Sequence, residues 1–197
     1  MSAAVTETGL MSLNLAHILF APPETKPLDL STFTWSPTTR TYGSWTWLGD
    51  HSFDNLPEYD SDGGDATTLR TMDRMAAKTV YEPETQTVSL HMVGLTKDLL
   101  STLYPDAKDD GAGNLALGNK GAIERAMMWI IDDGTEIGGF HHGHVSLKAG
   151  NITPASDAFF ELDIACSLLN SDINGGGTTT VLKRVKYAAA SAAEGEE

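Results

Sequence analysis

The fold of this chain is constrained most by its short stretches of alternating apolar and polar residues. Turn residues separate these stretches. Val88, Leu90 and Met92 alternate with polar neighbours within residues 85–95, and residues 158–169 repeat the pattern. Because successive side chains of a β-strand point to opposite faces, each stretch predicts a strand with one buried face. Similar stretches predict strands over residues 13–20, 40–48, 67–81, 122–131, 135–148 and 178–187. About seven or eight strands with turn signals between them are typical of a mainly β fold, a β-sandwich or barrel.

One segment has helical spacing instead. Leu99, Leu100 and Leu103 form one apolar face, Thr96 can cap the preceding turn, and Pro105 ends the segment. The sequence therefore predicts a single flanking α-helix over residues 97–104.

Charge and cysteine content limit the classes of function. The 197 residues contain 13 Lys plus Arg against 27 Asp plus Glu, a net charge of −14, which excludes a broad basic face for nucleic acid or anionic membranes. The single Cys166 cannot form an internal disulfide. The apolar stretch at residues 13–22 is too short to span a bilayer, and residues 1–12 lack the positive charge of a signal peptide. These features favour a protein made in a reducing cytoplasm.

The distribution of proline, glycine and charge predicts three parts. Residues 1–37 are expected to form an extended N-terminal arm and the first strand. Residues 38–172 are expected to form the β core, with an acidic loop at 49–66. Residues 173–197, which begin near Gly175–Gly177, are expected to form a C-terminal arm.

The acidic loop is the most highly charged segment of the chain. It carries six carboxylates and no Lys or Arg: Asp50, Asp54, Glu58, Asp60, Asp62 and Asp65. The carboxylate spacing fails the pattern of a calcium-binding loop. Two interpretations are nearly equal: solvated charge, or a surface that docks a neighbouring subunit offering Arg and Lys.

The sequence offers little catalytic chemistry. His142 and His144 have the spacing of two metal ligands on one strand face, but no carboxylate or later histidine completes a site. Polar histidines on an exposed or subunit-facing strand are the favoured interpretation of His141, His142 and His144. Cys166 is predicted to be buried, and Trp45 and Trp47 to pack in a core or interface rather than stack on sugar. We therefore expect no enzymatic activity, no metal and no cofactor.

Three stretches, taken in order, resemble the major tail tube proteins of long, non-contractile-tailed bacteriophages, the siphoviruses. They are the strand–turn–strand–helix block at residues 67–105, the hairpin at residues 126–147, and residues 150–169, where a T-P-x-x-D-A-F-F-E run leads into a strand. Together they cover over half of the chain.

The resemblance implies the phage tail-tube fold and a structural virion protein. Six copies would form a ring in which the inner strands join as one β-barrel, at residues 39–48, 68–81, 121–132 and 135–147. The rings would self-assemble into the tail tube, through which DNA is ejected without specific binding, and the partners would be tape measure, distal tail and terminator proteins. By analogy, the acidic loop would contact the next ring, and five carboxylates would lie near the lumen or its rims: Asp73, Glu124, Asp132, Asp133 and Glu136.

Three alternatives stay open from the sequence. The first is another tail ring component, a distal tail or terminator protein, which shares this fold. The second is a small metal-dependent β-sandwich enzyme that uses His142 and His144. The third is a carbohydrate-binding module that uses Trp45 and Trp47.

Overall fold

The computed structural model describes residues 13–154 and 159–186. Within them the chain forms strands connected by loops, one α-helix and a 3₁₀ turn at Asp172–Asn174. The helix α1 is Lys97–Leu103. The strands are β1 Leu15–Ala21, β2 Thr41–Tyr42, β3 Trp45–Trp47, β4 Glu58–Asp62, β5 Ala66–Thr71, β6 Arg74–Tyr81, β7 Thr85–Met92, β8 Lys108–Asp109, β9 Leu115–Ala116, β10 Ala122–Asp132, β11 Glu136–Thr153, β12 Glu161–Leu168 and β13 Thr180–Lys186.

Nine of these strands form one antiparallel sheet in the order β2-β3-β1-β10-β11-β12-β7-β4, with β13 also paired to β11. The long strand β11 organises the sheet. One edge of β11 pairs with β10, while its other edge pairs first with β13 and then with β12. The strands β5 with β6, and β8 with β9, form two separate two-stranded sheets.

The centre of the sheet is packed on both faces. On β1, Ile18 and Phe20 belong to a core cluster that includes Leu99 and Leu103 of the helix. The alternate residues of β1 belong to a second cluster that includes Phe33 and other residues of the segment before β2. Neighbouring residues of a strand point to opposite faces, so helix α1 covers one side of the sheet and the 28–35 segment covers the other.

The predictions of a mainly β fold and a flanking helix are confirmed. Val88, Leu90 and Met92 are 0–1% exposed and face the core as their alternation predicts. The helix begins where predicted, because the hydroxyl of Thr96 accepts a hydrogen bond from the backbone N–H of Leu99 at 3.2 Å.

Two predicted strands are wrong as single strands. Residues 40–48 form the short hairpin β2–β3, which turns at Gly43 with a φ of 60°. Residues 67–81 form the hairpin β5–β6, which turns at Met72 and Asp73. The second turn lacks the Asn-Gly or Asp-Gly signal that identifies a tight turn in a sequence, so the alternation alone was misleading. Of the four strands expected from the resemblance, the segments at 121–132 and 135–147 are single strands, β10 and β11.

The predicted acidic loop contains a strand. The acidic loop at 49–66 includes β4, whose five residues pair with β7, so the prediction of a loop is wrong there. The glycine-rich segment at 106–121 includes the small hairpin β8–β9. The three-part division of the chain stays a prediction, and residues 1–12, 155–158 and 187–197 lie outside the described residues.

Candidate functional site

The strands β4 to β7 form a long two-stranded ribbon with a bend in its middle. In the inner half β4 pairs with β7, and in the outer half β5 pairs with β6. At the bend Gly63 has a φ of 94°, and a Cβ there would lie 2.3 Å from the carbonyl oxygen of Pro83. Only glycine fits this position. The backbone N–H of Glu82 donates to the carbonyl oxygen of Asp65 at 3.0 Å and holds the two halves together. We call the outer half, residues 66–81, the projecting hairpin.

The projecting hairpin is exposed on both faces. Every residue of the projecting hairpin is exposed, and within the described residues β5 and β6 belong to no larger sheet. Its exposed large apolar side chains are Leu69, Met72, Met75, Val80 and Tyr81. The sequence predicts a half-buried strand here and so misses this surface. In this segment polar residues do not occupy every second position, as Ala76-Ala77 illustrates. This break in the alternation is the sequence signal that could have identified the exposed surface.

The six carboxylates of the acidic segment are exposed, but the structure places them in three positions. Glu58, Asp60 and Asp62 share one face of edge strand β4. Two others lie in the loop before β4, and the last lies at the ribbon bend: Asp50, Asp54 and Asp65. The sequence therefore identified an acidic surface, and the structure makes half of it a regular strand at a sheet edge.

Tyr59 lies on the opposite face of β4 and links this edge strand to the middle of the sheet. Its ring stacks on Trp129 of β10 at a centroid distance of 6.0 Å and contacts Phe140 of β11. Its hydroxyl lies 2.8 Å from Nε2 of His142. The Nδ1 of His142 lies 3.3 Å from the carbonyl oxygen of Thr178. The Thr179 hydroxyl, which can donate or accept, lies 3.0 Å from the same Nδ1. In the tautomer with the proton on Nδ1, Nδ1 donates to the carbonyl oxygen of Thr178 and Nε2 accepts from the Tyr59 hydroxyl. Burial raises the pKa of the Tyr59 hydroxyl.

The histidine cluster is structural, and the expectation of exposed histidines is wrong for two of its members. His141 and His142 are 1% and 0% exposed. His141 lies 3.0 Å from the Asn174 side chain and 2.9 Å from the carbonyl oxygen of Thr25. Burial lowers the pKa of His142 to about 4, and its two ring nitrogens both have hydrogen-bond partners. Within residues 13–154 and 159–186, no group of three metal-ligating side chains is present.

Glu24 fastens the chain that follows β1 to β11 and to the 3₁₀ turn. It has a φ of 60°, which is strained for a residue other than glycine. Its carboxylate accepts hydrogen bonds from the Ser171 hydroxyl at 2.9 Å and from the backbone N–H of Ile173 at 3.2 Å, and these bonds lower its pKa. His144 lies between this carboxylate, at 3.9 Å, and that of Glu124, at 3.1 Å. Nothing in the sequence around Glu24 indicates this role.

The structure does not bring together the five carboxylates assigned to the lumen or its rims. Asp73 is at the tip of the projecting hairpin, and Glu124 is exposed near the start of β10. Asp132, Asp133 and Glu136 lie at the β10–β11 turn, eight residues farther along β10, which is about 27 Å at the rise of a strand. The Asp132 and Asp133 carboxylates accept backbone hydrogen bonds within this turn, and these bonds lower the pKa of Asp133.

The remaining candidate residues pack in the interior. Trp45 is 1% exposed, and its indole N–H donates to the carbonyl oxygen of Lys26 at 3.0 Å. It is therefore a core residue and not a sugar platform. Trp47 is half-buried and packs edge-on against Trp35. Cys166 is fully buried, as predicted, and burial raises the pKa of its thiol.

Comparison with known proteins identifies the family. The family model of phage tail tube proteins matches residues 7–190, well over half of the chain, while no curated protein matches it. No helix in the described part of the chain is long and apolar enough to cross a membrane. The match confirms the resemblance to phage tail tube proteins seen in the three sequence stretches, and with it the expectation of a virion tail component without enzymatic activity. The chain therefore belongs to the phage tail tube protein family, and its role is structural.

Proposed function

We propose that six copies of this chain close into a ring and that the rings stack into the tail tube of a siphovirus, through which DNA is ejected. The observation that carries the proposal is the open sheet: within the described residues, its path ends in β2 and β4, each with one paired neighbour. An unpaired edge tends to pair with another chain. Contacts between two different surfaces of one chain close into a ring when the rotation allows it.

The charge of the chain suits a DNA conduit. With a net charge of −14, an acidic bore would repel phosphates, so DNA would slide without the counterion release that drives adsorption to basic surfaces. We assign to the lumen or its rims the carboxylates Asp73, Glu124, Asp132, Asp133 and Glu136. The assignment is best supported for Glu124, because this residue is exposed on a long strand. Asp132 is 5% exposed, and its carboxylate accepts a hydrogen bond within the β10–β11 turn.

The acidic segment is the proposed contact between rings. Its carboxylates Asp50, Asp54, Glu58, Asp60, Asp62 and Asp65 are exposed and form no ion pair among the salt bridges of the described residues. An exposed carboxylate without a counterion costs little free energy in water, and it is available to form an ion pair with a cation of another subunit. The other proposed partners are the tape measure, distal tail and terminator proteins of the same tail.

Negative-stain electron microscopy of the purified protein at rising concentration, beside sedimentation velocity, tests the proposal. We expect six-membered rings or hollow tubes, and a sedimentation profile that shifts to larger species as concentration rises. A protein that stays monomeric at every concentration, also when mixed with its distal tail partner as initiator, would overturn it. Rings that never stack would instead support the alternative of another tail ring component.

A further inference from the structure

The projecting hairpin has no partner within the described part of its own chain. An isolated two-stranded hairpin is marginally stable in water, because neither face is covered. Met72 is fully exposed, Met75 is 82% exposed and Tyr81 is 70% exposed. Exposed apolar side chains grouped on one element indicate a protein contact surface.

The projecting hairpin also differs in charge from the rest of the molecule. It carries three cations, Arg70, Arg74 and Lys78, against the single carboxylate Asp73, a net charge of +2 in a chain of net charge −14. No salt bridge in the described residues uses any of the three cations. A basic and apolar arm on an acidic protein suits an acidic protein surface as its partner.

The edge strand β4 offers a surface with the matching properties. Glu58, Asp60 and Asp62 stand at every second position along one face, and β7 is the only strand that pairs with β4 in the described residues. A strand spaces alternate side chains by about 7 Å, so rows of charge on two strands can match at several positions at once.

The hairpin cannot reach the β4 of its own chain. The ribbon continues from β4 into β5, and the bend is held by the Glu82–Asp65 backbone hydrogen bond and by a hydrogen bond from the Ser61 hydroxyl to Glu84. Folding back would break this ladder. The eight residues of β6 instead extend the hairpin by about 26 Å.

We propose that the projecting hairpin of one copy docks on the edge strand β4 of a second copy. In this contact Arg74 and Lys78, which share one face of the hairpin, lie against the carboxylates of β4, and the exposed methionines cover the neighbouring surface. The inference rests on the proposed function and deepens it, because it names the basic surface that meets the acidic segment. Donor and acceptor surfaces differ, so each copy can give one contact and receive another.

Charge reversal of the hairpin tests the donor side. A variant with Arg70→Glu, Arg74→Glu and Lys78→Glu is expected to need a concentration about tenfold higher or more to assemble, because like charges then face each other across the contact. These side chains are exposed, so the variant should keep the wild-type circular dichroism spectrum. Assembly at the wild-type concentration would overturn the inference and leave the proposed function standing.

Charge reversal of β4 tests the acceptor side. A variant with Glu58→Lys, Asp60→Lys and Asp62→Lys alone is likewise expected to need a concentration about tenfold higher or more to assemble. When the two variants are mixed, each hairpin again meets a strand of opposite charge, and we expect mixed assemblies at the wild-type concentration. Both variants keep a net negative charge, so general attraction cannot explain their association. Two variants that fail alone and also fail together would overturn the pairing of the hairpin with β4.

A matched control separates the effect of where the charges lie from the effect of the net charge. The variant with Lys108→Glu, Lys148→Glu and Lys183→Glu changes the net charge as much as the hairpin reversal does, at exposed lysines outside the hairpin. It is expected to assemble like the wild type, and its failure would overturn the positional argument. If the mixed variants form complexes by sedimentation but no protein forms rings or tubes, the contact stands and the proposed function fails.

Discussion

The hydroxyl of Tyr59 lies 2.8 Å from Nε2 of His142 and joins the edge strand β4 to the middle of β11. These strands are three places apart along the path of the sheet, so their contact shows that the sheet curls until its edge faces its centre. The two faces of β4 therefore differ: Tyr59 faces inward and packs on the sheet, while the neighbouring carboxylates face outward.

Removing this hydroxyl should destabilise the subunit. Tyr59→Phe leaves Nε2 of a buried histidine without its hydrogen-bond partner, and we expect the free energy of unfolding to fall by about 1–2 kcal/mol. Urea unfolding below the concentration of assembly measures it. Tyr81→Phe is the matched control, since Tyr81 is 70% exposed. Equal stability of the two variants would contradict the role assigned to the hydroxyl.

Stability should fall as pH falls from about 6.5 to 4. Burial lowers the pKa of both His17 and His142 to about 4, so the unfolded chain binds protons at a pH where the folded chain does not. Their contribution is fully present above pH 6.5 and is lost as pH decreases. For His142 the loss reaches about 3 kcal/mol near pH 4.

The check is the urea midpoint between pH 7 and pH 5, where most carboxylates stay ionised. We expect the midpoint of His142→Gln to depend less steeply on pH than that of the wild type, with His17 and His51, whose pKa values burial also lowers, contributing to the slope that is left. The same slope in both proteins would show that His142 titrates normally in the folded state.

Gly139 should tolerate no side chain. Its φ is 152°, and a Cβ there would lie 1.9 Å from the carbonyl oxygen of Trp129 on the paired strand β10. Gly139→Ala should therefore cost about 2–4 kcal/mol through strain and lost pairing. Gly94→Ala, where the nearest atom lies at an ordinary 3.6 Å, serves as the control in the same thermal unfolding experiment. A Gly139→Ala protein as stable as this control would show that β10 and β11 can separate at little cost.

Cys166 should report global unfolding. The thiol is fully buried and burial raises its pKa, so we expect its reaction with Ellman's reagent to be at least about a hundredfold slower in the folded protein than in urea. Rapid reaction of the native protein would mean that β12 opens locally.

The sequence predicted those elements whose signals are local. The Thr96 cap and the alternation through Met92 determine the helix and β7 directly. The hairpin at Met72 and Asp73 was missed because its turn carries no glycine or asparagine.

The candidate site was predicted only in part, for a different reason. The acidic character of β4 is visible in the sequence, but its place at a sheet edge depends on pairing with β7. The hydrogen bonds of Glu24 to Ser171 and of Tyr59 to His142 join residues 147 and 83 positions apart. No local pattern in a single sequence carries such contacts.

The two-sided packing of β1 and β10 separates the parts of this protein that can change from those that cannot. Side chains in the middle of the sheet pack in one core cluster or the other, so a substitution there lowers the stability of the whole subunit. The projecting hairpin supports neither cluster. Its sequence can therefore change at little cost to the stability of the fold, and a matched change in the hairpin and in β4 would give a new subunit specificity.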